Sequence, residues 1–299
     1  MVESPRFAEK FMTSVIETGT SELSRAHCEM LIRMASEYDP KSLGSREQRG
    51  YVKLFYDGSD LTPERLAEIQ PAYGRFQRVD AIDPLLYARE DFKLEPPEGM
   101  PLMIAFLGPS ASGKDSILDL VEGHYPSGYV VNTTTRPLRE GSQSDLARYE
   151  FVSKEDFRHR REREEFAESL PLGVQGEHFF GTSIESIDRA FASPSHRLSV
   201  WRGDLVGLTQ LKPWMTKNYP QVAFVTFFVL PQMPLGALCV RIEQKRGLEQ
   251  AHRWRFPKAV WEIHAAGEMV DVIVLNPPDP TEAPRDAAAA TVAAFRAID

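Results

Sequence analysis

Cysteine, long apolar runs and an excess of positive charge are all scarce in this chain. Of 299 residues only two are cysteines, Cys28 and Cys239, which are too few and too far apart for a disulfide framework or a zinc site. No run of about 18 apolar residues occurs, and the N-terminus lacks the basic and apolar segments of a secretory signal. The net charge of −8 argues against general nucleic-acid binding, which relies on clustered Lys and Arg. These absences predict a soluble, cytoplasmic protein without membrane or nucleic-acid partners.

What the sequence does contain is the composition of a folded globular protein, with 42% hydrophobic residues. Closely spaced prolines between residues 96 and 101 precede a strongly apolar run and predict a domain boundary. Residues 1–95 are predicted to be mainly helical, because apolar residues have helical spacing over 22–38 and Thr62-Pro63 is typical of a helix start. No catalytic constellation occurs there, so its role stays open. Residues 101–299 are predicted to form the second domain.

Beyond the boundary, short apolar runs alternate with charged helical stretches. The runs at 102–107, 222–230 and 270–275 are continuously apolar, as expected of parallel strands covered on both faces. Helices are predicted over 235–246 and over the Ala-rich segment 287–294. This alternation predicts an α/β fold with a parallel central sheet flanked by helices.

A glycine-rich loop directly follows the first apolar strand. It reads Gly108-Pro109-Ser110-Ala111-Ser112-Gly113-Lys114-Asp115-Ser116, and a helix can begin behind it. A G-x-x-x-x-G-K loop between a strand and a helix is the P-loop pattern, whose backbone N–H groups and helix dipole bind phosphate oxygens. Lys114 is expected to reach the β- and γ-phosphates of ATP and to balance charge during transfer. The loop therefore predicts ATP binding.

One position of the loop departs from this pattern. Asp115 stands where Ser or Thr usually offers a hydroxyl to Mg²⁺, and Ser116 comes one residue too late for that role. A carboxylate is also a hard oxygen ligand, so Asp115 is predicted either to contact Mg²⁺ or to cap the following helix.

Two arginines three residues apart follow the loop helix. Arg136 and Arg139 flank Pro137, which stiffens the chain between them. Two guanidinium groups can hold a phosphate dianion by paired, charge-assisted hydrogen bonds. We therefore predict that this segment binds the phosphate of an acceptor.

These motifs, taken in order, resemble the guanylate kinase family. The family hallmark is Thr-Thr-Arg-x-x-Arg followed by Tyr-x-Phe-Val-Ser, matched here at 134–139 and 149–153, and the similarity continues to the end of the chain. The resemblance implies a P-loop kinase with an acceptor-binding subdomain and a lid. It also implies Mg²⁺-dependent phosphoryl transfer from ATP to a nucleoside monophosphate, GMP or dGMP.

The resemblance further implies roles for single residues. Tyr149 would donate to the acceptor phosphate, and Glu168 would accept from two guanine N–H groups, which suits a carboxylate because it offers two acceptor oxygens. The other positions that match acceptor-binding segments of the family are Asn132, Phe180, Thr182, Ser183, Arg202 and Asp204. The family's lid arginines, which close on the transferring phosphate, match Arg241, Arg246 and Arg255.

Three of these positions depart from the family pattern. Phe180 replaces a tyrosine that helps to bind the monophosphate, and Asn132 replaces a serine. Arg202 replaces the first Asp of an Asp-x-Asp-x-Gln-Gly segment. Its charge is predicted either to attract a further anionic group or to pair with Glu168 and disturb guanine recognition.

Two other functions stay open. Ribose bisphosphate kinases resemble this family and carry the same Gly-Lys-Asp-Ser loop as residues 113–116. Scaffold proteins contain guanylate-kinase-like domains that bind phosphopeptides, usually with a damaged loop, whereas both glycines and the lysine are present here. We rank the functions as nucleotide kinase, sugar-phosphate kinase and binding module.

Overall fold

A computed structural model describes residues 45–56, 58–80, 85–93, 100–124, 128–139, 143–172, 178–192, 198–246, 255–278 and 283–298. The helix predicted over 22–38 lies outside these residues. The described helices are Ser45–Tyr56 (α1), Pro63–Ala67 (α2), Lys114–Glu122 (α3), Gln143–Arg148 (α4), Lys154–Glu162 (α5), Ile184–Phe191 (α6), Leu205–Asn218 (α7), Leu235–Arg246 (α8), Arg255–Met269 (α9) and Ala283–Ile298 (α10), with a 3₁₀ helix at Pro71–Arg75.

The strands form two sheets. They are Phe76–Arg78 (β1), Leu86–Arg89 (β2), Leu102–Leu107 (β3), Gly128–Val130 (β4), Asn132–Thr134 (β5), Tyr149–Phe151 (β6), Phe166–Leu172 (β7), His178–Ser183 (β8), Leu198–Arg202 (β9), Ala223–Pro231 (β10) and Val272–Asn276 (β11). The central sheet has the order β1-β2-β11-β10-β3-β9-β4, and the smaller sheet the order β6-β5-β8-β7.

The central sheet is mostly parallel, which confirms the predicted α/β class. All pairings from β11 through β10, β3 and β9 to β4 are parallel. At one side of the sheet β1 and β2 add an antiparallel hairpin, and β2 pairs with β11. This hairpin comes from the described part of the N-terminal region, which also contains α1, α2 and the 3₁₀ helix.

Helices cover both faces of the central sheet, as its apolar strands require. Alternate residues of β3 belong to different cores: Met103 and Leu107 pack on the face that carries α7 and α9, and Ile104 and Phe106 on the face that carries α3 and α10. The long apolar strands are buried for this reason, and their carboxyl ends form one edge of the sheet. None of the described helices is both long and apolar enough to cross a bilayer.

The smaller sheet begins where the chain leaves the central one. Val130 ends β4 in the central sheet, and Asn132 starts β5 in the smaller sheet two residues later. Asn132 pairs with Tyr149 of β6 on one side and with Thr182 of β8 on the other. The smaller sheet thus carries the predicted acceptor residues Asn132, Tyr149, Glu168, Phe180, Thr182 and Ser183.

The described part of the N-terminal region packs against helix α9. The Tyr73 hydroxyl donates to the carbonyl of Ile263, and a Cβ added at Gly267 would come within 2.8 Å of the Tyr73 ring. Gln70 lies 3.3 Å from the buried side chain of His264. Residues before the predicted boundary therefore share a core with those after it, while the division at residue 95 stays a prediction.

Replacing Tyr73 by Phe tests how strongly this packing stabilises the protein. The change keeps the buried ring but removes the hydrogen bond to Ile263, so we expect the free energy of unfolding to fall by about 1 kcal/mol. Urea denaturation would measure it. The matched control is Tyr219→Phe, which removes a hydrogen bond to Asp188 at the surface and should change the stability less. An equal loss of unfolding free energy in both variants would mean that the buried hydrogen bond of Tyr73 stabilises the protein no more than a surface hydrogen bond does.

Candidate active site

The glycine-rich loop joins the carboxyl end of β3 to the first turn of α3. Glycine is needed at position 108, because a Cβ there would come within 2.8 Å of Ser112 Oγ and 2.9 Å of the Val229 carbonyl oxygen. At Gly113 the backbone is left-handed, with φ of 89°, and a Cβ would collide with the amide of Asn276. The two glycines of the P-loop pattern are thus required by geometry as well as by sequence.

Asn276, the last residue of β11, holds the loop from behind. Its Nδ2 donates to the carbonyl oxygen of Ser112 at 2.6 Å, and both side chains are buried. Sequence reasoning did not identify Asn276, because the contact spans more than 160 residues and no local motif marks it. The strand end two positions along the sheet therefore stabilises the curvature of the loop.

The loop presents groups that suit a bound polyphosphate. The hydroxyl oxygens of Ser110 and Ser112 are buried and have no hydrogen-bond partner among the described residues. Lys114 lines the same cavity, where desolvation lowers its pKa, so its charge is not fully compensated by the protein. A buried cation and unpaired hydroxyl groups are the donors expected of an anion-binding loop.

Asp115 and Arg202 form an ion pair across the cavity. The distance from Arg202 Nη1 to Asp115 Oδ1 is 2.5 Å, and Arg202 Nη2 donates to the Tyr149 hydroxyl. Burial raises the pKa of Asp115, but the charges of Arg202 and Lys114 outweigh it and hold that pKa well below its usual range. Arg202 therefore links the phosphate loop to the smaller sheet.

This pair corrects two expectations. The N-cap of α3 is Gly113, and Asp115 lies in the first helical turn, so it does not hold the cap position. The predicted pairing of Arg202 with Glu168 is wrong, because the Arg202 guanidinium is turned toward Asp115 and Tyr149. The two departures from the family pattern at positions 115 and 202 are in direct contact, which separate sequence motifs could not reveal.

The two predicted clamp arginines are held by a buried carboxylate. Arg139 makes two bonds to Asp145, with Nε to Oδ2 at 2.8 Å and Nη2 to Oδ1 at 2.5 Å, and Arg136 Nη2 lies 2.9 Å from Oδ2. Burial raises the pKa of Asp145, but both arginines outweigh it and lower that pKa to about 2. Arg136 also lies 5.0 Å from the centre of the Tyr149 ring. Sequence reasoning missed Asp145, whose only signal was an acid six residues after Arg139.

Glu168 belongs to a buried polar cluster at the back of the cavity. Its Oε1 lies 2.7 Å from Thr182 Oγ1, which also contacts Asn132 Oδ1 at 2.9 Å and Trp201 Nε1 at 2.7 Å. Burial is the main reason that the pKa of Glu168 rises to about 8, and the nearby Asp204 carboxylate adds to it. The carboxyl group lines the cavity and is therefore available to a ligand.

A second buried charge cluster lies at the other wall. Lys258 Nζ donates to Asp204 Oδ2 at 2.8 Å and to Glu262 Oε1 at 3.0 Å. Asp204 is also the N-cap of α7, where its Oδ1 accepts from Gly207 N at 2.8 Å. Spacing four residues apart on a helix places Lys258 and Glu262 on one face, which could have been read from the sequence. The contact of Lys258 with Asp204 could not be read from the sequence, because the two residues are 54 positions apart.

One cleft of about 550 Å³ brings most of the predicted residues together. Its lining includes the whole loop from Gly108 to Ser116 except Pro109, together with Asn132, Arg136, Arg139, Tyr149, Glu168, Phe180, Arg202, Asp204 and Arg255. Thr182 lies behind this surface, bonded to Glu168, and Ser183 is the N-cap of α6, where it accepts from Ser186 N.

The predicted lid arginines are only partly placed. Arg255 begins α9 and lines the cleft. Arg241 lies on α8 and is not part of the cleft lining. The side chain of Arg246 and residues 247–254 lie outside the described part of the chain. Catalytic roles for these arginines stay predictions.

A phosphate-binding loop at the end of a central parallel strand, facing paired arginines across one cleft, defines the class of P-loop kinases. Comparison with known proteins identifies the group within this class. The guanylate kinase family model matches residues 100–227. The chain is 33% identical over 171 residues to the guanylate kinase of Frankia casuarinae, a match that covers 56% of this chain and 85% of the relative.

Further guanylate kinases are similar. The one from Chlorobium luteolum is 29% identical over 180 residues, covering 58% of this chain and 83% of the relative. The crystal structure of guanylate kinase from Anaplasma phagocytophilum matches 66% of this chain and 86% of that chain with a TM-score of 0.47 and 19% identity. The chain belongs to the guanylate kinase family. This confirms both the resemblance and the enzyme class predicted from the sequence, the nucleoside monophosphate kinases.

Proposed function

We propose that the protein transfers the γ-phosphoryl group of ATP to GMP or dGMP in the presence of Mg²⁺. The observation that carries the proposal is the single cleft, in which the phosphate loop, the Arg136–Arg139 clamp and the buried Glu168 line one continuous space. A donor and an acceptor must occupy such a space together for direct transfer. Relatives named guanylate kinase support guanine as the base. A cytoplasmic location is part of the proposal, supported by the low cysteine content.

The donor side of the cleft would hold ATP by the loop. The donors for its phosphate oxygens are the loop's backbone N–H groups, the unpaired hydroxyl groups of Ser110 and Ser112, and Lys114. Pro109 has no N–H, and the N–H of Ser112 donates to the carbonyl oxygen of Pro109. Asp115 is the candidate carboxylate ligand for Mg²⁺. A single carboxylate is enough, because Mg²⁺ in such sites is usually bound by one or two carboxylates together with substrate phosphates. When bound, the ion would neutralise negative charge on the phosphates.

Transfer itself needs no protein nucleophile. An oxygen of the acceptor phosphate attacks the γ-phosphorus in line, the new P–O bond forms, and the bond to the β,γ-bridging oxygen breaks. Lys114 and Arg255 supply positive charge at the wall of the cleft, where negative charge spreads over the transferring group. The acceptor phosphate would be held by the clamp arginines, with the ring of Tyr149 beside Arg136 and its hydroxyl against Arg202.

The direct test is ATP consumption by the purified protein with Mg²⁺ across GMP, dGMP, the other nucleoside monophosphates and ribose 1,5-bisphosphate. We expect selective turnover of GMP or dGMP. Turnover of ribose 1,5-bisphosphate alone would move the assignment to a sugar-phosphate kinase. No turnover of any acceptor, together with binding of a phosphopeptide, would make the protein a binding module.

Replacing Arg139 by Lys tests the acceptor clamp. Lysine keeps the charge but cannot form the two parallel bonds of a guanidinium, so we expect the KM for the acceptor to rise roughly tenfold with little change in the KM for ATP. Steady-state kinetics with each substrate varied in turn would measure both. The matched control is Arg163→Lys, since Arg163 pairs with Glu165 at the surface. An equal rise in both KM values would place Arg139 outside the acceptor site.

A further inference from the structure

Four buried side chains at the back of the cleft form a hydrogen-bonded cluster in which acceptors outnumber the protons available to them. The cluster consists of Thr182, Asn132, Trp201 and Glu168, and each of them is less than one-tenth exposed. Thr182 Oγ1 lies within 2.9 Å of a polar atom of each of the other three. A hydroxyl group has one proton to donate and two lone pairs to accept with. The three contacts therefore fix where each proton must lie.

Two of the three contacts can be assigned from chemistry alone. The indole nitrogen of Trp201 can only donate, so Thr182 accepts from it. Asn132 Nδ2 donates to the carbonyl oxygen of Arg202 at 2.7 Å, which orients the amide and turns Oδ1 toward Thr182. Since Oδ1 can only accept, the Thr182 proton is used in this contact.

Glu168 is the partner that remains. Its Oε1 lies 2.7 Å from Thr182 Oγ1, whose single proton already serves Asn132. An ionised carboxylate can only accept, so it would take that proton and leave the buried Asn132 oxygen without it. A protonated Glu168 instead donates to the second lone pair of Thr182, and every group of the cluster is then satisfied.

We propose that Glu168 carries a proton in the ligand-free protein and that loss of this proton to solvent selects guanine as the acceptor base. The inference rests on the proposed function, because it assumes that Glu168 meets the base. An ionised carboxylate offers two acceptors, which match the two adjacent N–H donors of guanine. The protonated form donates its one proton to Thr182 and leaves its other oxygen as a single acceptor for the base, which cannot satisfy both guanine donors. The protonation state of one side chain thus sets the base preference.

The charged groups around Glu168 agree with this assignment. Burial is the main cause that raises the pKa of Glu168, and the contact with the Thr182 hydroxyl lowers it in part. The Asp204 carboxylate, at the start of α7, raises it further. Lys258 and Glu262 of α9 face Asp204 and form ion-pair contacts around it. The remaining charged or titratable groups of the cleft are Lys114, Asp115, Arg136, Arg139, Tyr149, His178, Arg202 and Arg255, of which Arg202 is turned toward Asp115.

The test is the binding of GMP and of AMP to the protein between pH 6.5 and 8.5, by isothermal titration calorimetry. Both ligands carry the same phosphate, so the ratio of their affinities isolates the base. With the Glu168 pKa near 8, the GMP affinity relative to AMP should rise by at least about 20-fold over this range. At pH 7, titrations in buffers of different ionisation enthalpy should show that GMP releases about 0.9 proton more than AMP.

Glu168→Gln is the matched variant, because an amide presents one donor and one acceptor at every pH. The variant should lose the pH dependence of the ratio and the preference for GMP. A measurement on the unmodified protein guards against misfolding of the variant: an infrared band of a protonated carboxyl group should be present at pH 7 without ligand and vanish on addition of GMP.

The possible failures can be told apart. If GMP binds with a ratio to AMP that does not vary with pH and without release of the additional proton, the protonation inference is wrong while the kinase proposal stands. If neither monophosphate binds at any pH, both proposals fail.

Discussion

Replacing Lys114 by Ala is expected to abolish phosphoryl transfer without unfolding the protein. Lys114 is the cation of the loop closest to where charge develops, and removal of one such group commonly costs about 10²–10³-fold in kcat. Desolvation lowers the pKa of Lys114, so loss of its charge should leave the free energy of unfolding unchanged or slightly higher. Coupled-assay kcat and thermal unfolding would measure the two effects.

Lys217→Ala provides the control for this variant. Lys217 is an exposed residue of α7, away from the cleft, so its removal should alter neither quantity. A folded Lys114→Ala protein with ordinary turnover would rule out the proposed mechanism. A variant that fails to fold would instead contradict the expectation that Lys114 serves the ligand and not the fold.

Replacing Lys258 by Met is expected to cause the largest loss of stability. The ammonium group is buried between Asp204 and Glu262, and removing one partner of a buried ion pair usually costs about 3–5 kcal/mol. Methionine keeps most of the volume, so the loss reports the charge and not a cavity. Urea denaturation at pH 7 would measure the free energy of unfolding.

The pH dependence of this loss has a definite sign. In the unmodified protein, burial raises the pKa of Asp204 but Lys258 outweighs it, so the pKa is lowered and the pair stabilises above the unfolded pKa of the aspartate. Without Lys258 the pKa values of Asp204 and Glu262 should both rise above those of the unfolded chain. The free energy of unfolding of the variant should therefore fall as the pH rises and these carboxyl groups ionise. The difference from the unmodified protein should therefore shrink in acid. Glu262→Gln in the same background should restore part of the loss, and a difference independent of pH would contradict the assignment.

Local patterns predicted the elements that carry the donor site. The run at 102–107 is strand β3 without a change of bounds, the loop lies between that strand and a helix, and α8 and α10 cover the predicted helical segments. These features depend on short-range spacing and on burial of whole strands, which a sequence displays directly. The helix start predicted at Thr62-Pro63 was also correct, because Thr62 is the N-cap of α2.

Contacts between distant segments could not be predicted in the same way. Asp145, Asn276 and the Asp115–Arg202 pair depend on which side chains the fold brings together, and the spacing along the chain gives no sign of it. The hairpin β1–β2 was missed because both strands are short and little alternation is visible in three or four residues. The sequence shows which residue types are available, but not which distant side chains and strands the fold brings into contact.

The antiparallel pairing of β2 with β11 has a consequence for how this protein can be shortened. A chain cut just before residue 100 would keep the loop and the clamp, but it would expose the free edge of β11 and the apolar side of α9 that Tyr73 covers. Unpaired strand edges of this kind recruit other chains. Such a fragment should aggregate even though every cleft residue is present, because the N-terminal segment covers the edge of the sheet that carries the site.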